Sequence, residues 1–136
     1  MSKAIVQCKM LSGRYRTCKL SSKWSQSGDS FCPSPGCQHV PETLAHLLLQ
    51  CPAHVHARAG VVRKWKSVAC PAIADLVCQA LAKPSSYLLQ FLLDASVLPE
   101  VISLIQSQGE DILNQLFSLT RTWCYSIHRS RINLLK

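Results

Sequence analysis

The amino-acid sequence predicts an all-α fold. Apolar residues recur at spacings of three and four along much of the chain, and little of it alternates with the period of two that marks strands. Pro71, Pro84 and Pro99 each stand where a first helical turn would begin, a position that proline tolerates because the N–H there has no intrahelical partner. We expect a short basic N-terminal helix, a small cysteine-rich module of a turn plus a helix, and then a bundle of about four helices.

Length and composition fit one domain of ordinary size. The chain has 136 residues, and 48% of them are hydrophobic, which supplies enough apolar surface to bury a core. We divide it into a basic N-terminal helix and linker (residues 1–30), a metal-binding module (31–54) and a helical C-terminal region (55–136).

The N-terminal segment is predicted to be helical only at its start. Ile5, Cys8 and Leu11 recur at helical spacing, and Gly13 ends the pattern. The stretch that follows, "RYRTCKLSSKWSQSGDS", interleaves basic residues with two aromatic rings and ends in a turn-forming cluster. We interpret it as a basic linker.

The module at 31–54 concentrates potential metal ligands. Its first two cysteines flank a Pro/Gly turn, and a helix predicted from Pro41 or Thr43 runs to the Cys51-Pro52 pair, where a loosened last turn could bring the sulfur to the same side. Three thiolates and one imidazole form a complete tetrahedral set for Zn²⁺, typical of closed structural sites. The predicted ligands of this one structural zinc ion are Cys32, Cys37, His46 and Cys51.

Other histidines and cysteines are alternatives or bystanders. His39 could replace His46 as a ligand, whereas His54 and His56, beyond the helix end, are interpreted as solvated. Without a metal, the module would be a group of ordinary buried cysteines beside a chance histidine. The remaining cysteines lack ligand spacing and are interpreted as core thiols: Cys8, Cys18, Cys70, Cys78 and Cys124.

The C-terminal region reads as consecutive helices. Prolines divide it into "PAIADLVCQALA", "PSSYLLQFLLDAS" and "PEVISLIQSQ", preceded by the basic stretch "AHVHARAGVVRKWKSV". A longer amphipathic helix closes the chain. Its predicted buried stripe consists of Ile112, Leu116, Leu119, Trp123 and Ile127.

Charge favours a polyanionic partner, with RNA or DNA first. The net charge is +8, and residues 1–66 carry ten basic and two acidic side chains, whereas 67–120 carry one and five. Trp24 and Trp65 could stack on unpaired bases, or they could turn into the core beneath a merely solvated basic face. The predicted nucleic-acid contacts are Lys9, Arg14, Tyr15, Arg16, Lys19, Lys23, Arg63, Lys64 and Lys66.

Several function classes are disfavoured. A filled Cys3His set leaves no open position for catalysis, and no thiol outside it is obviously paired with a histidine, so we expect no enzyme and no catalytic residues. The N-terminal apolar run is broken by charges before a signal peptide develops, and the single apolar runs are too short to span a membrane. We expect an intracellular protein, nuclear or cytoplasmic, with no membrane partner.

Three stretches together resemble a known family. "KMLSGRYRTCKL", "CPSPGCQHVPETLAHLLLQCPAH" and "FSLTRTWCYSIHRSRINLL" are similar to the C-terminal tail of reverse transcriptases from non-LTR (LINE-like) retrotransposons. In that family a CCHC zinc-binding module lies downstream of the polymerase domain. The most specific match is an E(T/S)xxHLLxxCP core, present as Glu42, Thr43, His46, Leu47, Leu48, Cys51 and Pro52.

The resemblance implies a module that helps a polymerase bind element RNA or target DNA, with a possible contact to a reverse transcriptase domain in a full-length parent. The resemblance implies the same four metal ligands, although Cys32 and Cys37 are separated by four residues, where two or three are more usual in the family. The polymerase activity is not implied, because the paired-aspartate motif is missing and the adjacent acids Glu110 and Asp111 open a helix. The chain would therefore be either a fragment of a decayed element that lacks the polymerase or the product of a short gene derived from such an element.

The sequence thus predicts a zinc-stabilised nucleic-acid-binding module. The alternative is a helical protein-interaction domain, or a functionally inert one, in which zinc serves folding alone. The acidic, leucine-rich stretch 70–120 supports this alternative, because it offers nothing that would attract nucleic acid.

Overall fold

The computed structural model describes residues 2–12, 15, 31–37 and 40–135. These residues form six α-helices and no strand, and a Cys3His cluster precedes the helical bundle, so the predicted fold class is confirmed. The helices are α1 (Lys3–Leu11), α2 (Val55–Lys66), α3 (Pro71–Ala82), α4 (Ser85–Asp94), α5 (Pro99–Gln108) and α6 (Asp111–Leu135).

Helix α6 is the central element of the bundle. It is 25 residues long and packs against α1, α2, α4 and α5. Four members of the predicted stripe, Ile112, Leu116, Trp123 and Ile127, are buried, and Leu119 is half-buried against the same core. The apolar face of α6 therefore serves as the surface on which the other helices assemble.

Prolines and one glycine set the helix boundaries. Pro71 and Pro99 are the first residues of α3 and α5, and Pro84 stands immediately before α4. Gly109 follows α5 with a φ of 94°, a left-handed conformation that side-chain-bearing residues rarely adopt. The chain can consequently leave α5 and enter α6 within two residues.

A buried glutamine attaches α1 to the bundle. The Gln7 side-chain amide donates to the Leu92 carbonyl at 2.7 Å and to the Thr120 hydroxyl at 2.8 Å, and its oxygen accepts from Arg121 Nε at 3.2 Å. Both N–H groups and the oxygen therefore have partners, so the amide avoids the penalty of an unpaired buried polar group. These bonds fix the position of α1 relative to α4 and α6.

The tryptophans on α2 and α6 lie in the core. Trp65 is fully buried, its ring centroid is 4.9 Å from that of Trp123 and 5.8 Å from that of Phe91, and its indole N–H donates to the Leu119 carbonyl. Because Trp65 is buried, its ring cannot stack on bases. Of the two alternatives for this ring, the structure shows the core position.

The cysteines outside the cluster differ in burial. Cys124 is fully buried, as predicted for a core thiol, and burial raises its pKa to about 12. Cys8 and Cys78 are exposed and Cys70 is only half-buried, so the core interpretation is wrong for the first two. Each exposed thiol sits on the outer face of an otherwise amphipathic helix. Cys18 lies outside the described residues.

One described stretch, Ser85–Gln108, is long and apolar enough to cross a membrane by length and composition. The sequence had not predicted it, because its apolar runs are short when counted singly. Core helices of soluble proteins pass the same test, and here the stretch contains α4, a 3₁₀ turn at Ala95–Val97 and α5. Both helices pack against α6.

Candidate metal centre

The loop that carries the first two cysteines is closed by backbone hydrogen bonds. The Cys32 N–H donates to the Val40 carbonyl at 2.7 Å, and the Cys37 N–H donates to the Ser34 carbonyl at 3.0 Å. The prolines and glycine between the cysteines favour such a turn. Both cysteine side chains are thereby buried, with 8% and 4% of their surface exposed.

The histidine and the third cysteine lie at the two ends of a π-helical turn, His46–Gln50. The Thr43 hydroxyl accepts from the His46 N–H at 3.1 Å and caps the start, and the Cys51 N–H donates to the His46 carbonyl at 2.7 Å. In an α-helix, residues five positions apart point about 140° away from each other. The i→i+5 bond of a π turn accommodates one more residue and brings the two side chains to the same face.

The predicted loosening of the last helical turn therefore takes the form of a π turn, and Pro52 supplies a cause for it. In an α-helix the Leu48 carbonyl would accept from the N–H of residue 52, but proline has none. The buried Trp123 indole of α6 donates to that carbonyl instead, at 3.1 Å. The carbonyl left without its α-helical donor thus becomes the anchor of the module on the bundle.

The four predicted ligands meet at one point. Their donor atoms all lie within 4.8 Å of one another, and all four residues are buried. The Cys51 sulfur is 3.6 Å from that of Cys32 and 3.8 Å from that of Cys37, far beyond the length of a disulfide bond. Within the described residues, the buried Nε2 of His46 has no hydrogen-bond partner. Cys32, Cys37, His46 and Cys51 could therefore coordinate one metal ion.

The protonation states of these groups are set mainly by burial. Burial raises the pKa of Cys32 to about 12 and also raises the pKa of Cys51. Backbone hydrogen bonds from Ser34 to Cys32 and from Ala53 to Cys51 act in the opposite direction, because they stabilise the thiolates. Burial lowers the pKa of His46, which keeps its imidazole neutral and able to act as a ligand.

These pKa shifts determine how a metal ion would bind. Without a metal, the raised pKa values keep the Cys32 and Cys51 thiols protonated at neutral pH, so binding must release protons to the solvent. Metal affinity consequently rises with pH. The backbone donors at Ser34 and Ala53 then support the thiolates that the metal requires.

An ion pair joins the metal module to the far end of the chain. Arg131 Nη2 donates to Glu42 Oε1 at 2.9 Å, and Arg131 Nε donates to Glu42 Oε2 at 3.0 Å, a bidentate geometry. Only 1% of the Glu42 side chain and 13% of the Arg131 side chain are exposed. The sequence carries no local signal for this pairing, because the two residues are 89 positions apart and Glu42 fits a first helical turn equally well.

His54 makes a second connection to α6. Its Nδ1 lies 2.7 Å from the Ser130 hydroxyl, and only 1% of the residue is exposed. The interpretation of His54 as solvated is therefore wrong, because the 3₁₀ turn Pro52–His54 directs it into the bundle. His56, two residues later, is exposed as predicted.

The described members of the predicted nucleic-acid surface fall into two groups. Arg63, Lys64 and Lys66 are exposed in the last turn of α2, and Lys9 of α1 is half-buried. Tyr15 is only 7% exposed and its hydroxyl lies 2.8 Å from His128 Nδ1, which contradicts a stacking role for this ring. The other predicted residues lie outside the described part of the chain, as do Trp24 and His39: Arg14, Arg16, Lys19 and Lys23.

Comparison with known proteins finds no matching family model, no matching curated protein and no matching solved structure. Function is therefore inferred from the residues of the chain itself.

The Glu42→Gln substitution tests the ion pair. The amide keeps the size of the side chain but removes its charge, which weakens the bidentate contact with the largely buried Arg131 guanidinium. We expect the free energy of unfolding to fall by about 3 kcal/mol, measured by urea denaturation of the metal-loaded chain.

Glu100→Gln is the matched control. Glu100 is exposed and accepts one hydrogen bond from Tyr87, so its substitution should lower the free energy of unfolding much less than Glu42→Gln does. Equal effects of the two substitutions would contradict a stabilising role for the Glu42–Arg131 pair.

Proposed function

We propose that the chain is a zinc-stabilised nucleic-acid-binding module. The observation that carries the proposal is the buried convergence of three thiols and one imidazole before a basic helix. The π turn of the cluster, the 3₁₀ turn Pro52–His54 and α2 follow one another directly in the chain. A metal ion would therefore fix the position of the helix that bears Arg63, Lys64 and Lys66.

The sulfur geometry favours zinc. Tetrahedral Zn²⁺ binds thiolates at about 2.3 Å, which places two of its sulfurs about 3.8 Å apart. The two measured sulfur–sulfur distances to Cys51 are 3.6 and 3.8 Å. Four protein ligands would complete the tetrahedron, so the ion would serve the structure and would have no open position for a substrate.

The charge distribution supports nucleic acid as the partner. The last turn of α2 presents three exposed cations, and α2 contains no acidic residue. These positions also suit a helix C-terminus, where cations interact favourably with the helix dipole. That local effect does not account for the net charge of +8, which attracts polyanions over longer distances.

The residues of the motif that carries the family resemblance have structural roles in this chain. Glu42 pairs with Arg131, the Thr43 hydroxyl caps the turn, and Pro52 follows the π turn. His46 and Cys51 supply two of the four clustered donor atoms. We therefore propose that the chain corresponds to the tail of a retrotransposon reverse transcriptase, in which the module would hold RNA or DNA near the polymerase.

Zinc content tests the metal assignment. Elemental analysis of the purified chain should give about one zinc per molecule, because Cys3His sites bind a single ion. The His46→Ala substitution removes one ligand and should lower the zinc retained after dialysis against a competing chelator.

His56→Ala provides the control, since His56 is exposed and is not part of the cluster. It should retain as much zinc as the unmodified chain. A zinc content near zero in the unmodified chain would overturn the site, as would equal retention by the His46→Ala variant.

Salt dependence tests the nucleic-acid assignment. Binding to single-stranded RNA should weaken steeply with salt, with a slope of log K against log[salt] of about −0.7 per phosphate contacted. Replacing Arg63, Lys64 and Lys66 together by Gln should make that slope shallower by about 2, measured by fluorescence anisotropy at several salt concentrations.

The matched control replaces Gln106 and Gln108 by Ala. Both side chains are exposed at the end of α5, far along the sequence from the basic turn, and should leave the slope unchanged. Absence of binding at low salt in the zinc-loaded chain would favour the protein-interaction alternative.

A further inference from the structure

A groove between α2, α3 and α4, which also includes Leu49 of the π turn and Trp123 of α6, is lined by none of the four clustered metal ligands. Its volume is about 430 Å³, within the range of pockets that hold small ligands. Apolar side chains from Leu49, Val62, Leu81 and Leu88 line its walls. It is large enough for one planar heterocycle with its sugar and too small for a peptide helix.

The charged groups of the groove are all cationic. Arg58 and Lys83 line it, and among its described lining residues none is acidic. Arg58 Nη1 is buried and, within the described part of the chain, has no hydrogen-bond partner. This atom is closed to solvent, but the half-buried Arg58 side chain as a whole and the exposed Lys83 line the groove, so an anionic oxygen placed there would meet positive charge.

The face of α2 that lines the groove leads along the helix towards its exposed cations. Its lining residues on this helix, Val55, Arg58, Ala59 and Val62, share one face at spacings of three and four. Lys66 follows Val62 by four residues and therefore extends the same face by one turn. A strand with repeating negative charges could contact Arg58 and Lys66 in succession, about 12 Å apart along the helix.

We propose that this groove holds one unstacked nucleotide of a single-stranded nucleic acid, with its phosphate on Arg58 and Lys83 and its base among the apolar side chains. This inference rests on the proposed function and adds a base-binding subsite to it. Proteins bind single strands by combining backbone contacts with burial of splayed bases, and the groove offers both kinds of surface. The aliphatic walls would bind any base, so we expect little sequence preference.

Two binding measurements on the zinc-loaded full chain test the subsite. The probes are a short single-stranded RNA and the same RNA with abasic positions, which keeps every phosphate. The abasic strand should bind about tenfold more weakly with an unchanged salt slope. The Ala59→Phe substitution fills the groove from an exposed position and should weaken binding of the intact strand about tenfold while abolishing the difference between the two strands.

Matched variants separate groove filling from misfolding. Ala82→Phe adds the same ring at an exposed position that does not line the groove and should bind like the unmodified chain. Lys83→Gln removes an exposed charge, together with its contact 5.0 Å from the Tyr87 ring centroid, and should make the slope of log K against log[salt] shallower by about 0.7. Zinc content and circular dichroism should be the same for all three variants.

The outcomes distinguish the subsite from the proposed function. Equal binding of the intact and abasic strands, or no effect of Ala59→Phe, would overturn the subsite while leaving nucleic-acid binding in place. Displacement of the RNA by a short acidic peptide, blocked by Ala59→Phe, would reassign the groove to an acidic protein segment. Absence of RNA binding by the unmodified chain would overturn both proposals.

Discussion

The hydrogen bond from the Cys51 N–H to the His46 carbonyl controls how the metal module is built. It closes a π turn, and only this wider turn places an imidazole and a thiol five residues apart on the same face. The next residue, Pro52, has no N–H for the Leu48 carbonyl, which the Trp123 indole bonds instead. One irregular turn therefore brings two of the four donor atoms together and attaches the module to α6.

The module and the end of the chain depend on each other through groups that are expensive to leave unpaired. Glu42 is almost fully buried, and its two oxygens accept from Arg131. The His54 imidazole lies within hydrogen-bond distance of the hydroxyl of Ser130, the residue that precedes Arg131 on α6. Because these contacts flank the cluster on both sides, metal binding and docking on α6 should be coupled, as in other sites where metal binding contributes to folding.

The helices and the clustered ligands could be predicted because both depend on local patterns in the sequence. Proline positions fixed the starts of α3 and α5, and the spacing of cysteines around a Pro/Gly turn selected the four residues that meet. The burial of Tyr15 and His54 could not be predicted, because it depends on partners more than 70 residues away. For the same reason, the Glu42–Arg131 pair has no local signature, whereas Cys8 and Cys78 show that cysteine is not always a core residue.

The most direct measurement is hydrogen exchange of the Cys51 amide and the Trp123 indole N–H, in the zinc-loaded chain and after removal of zinc by a chelator. If the metal holds the π turn against α6, both hydrogens should be protected when zinc is bound and should exchange at least tenfold faster after its removal. A tenfold change corresponds to about 1.4 kcal/mol in the free energy of opening. Backbone amides in the middle of α3 should change much less. Equal protection of the Cys51 amide and the Trp123 indole with and without zinc would contradict a metal-dependent turn.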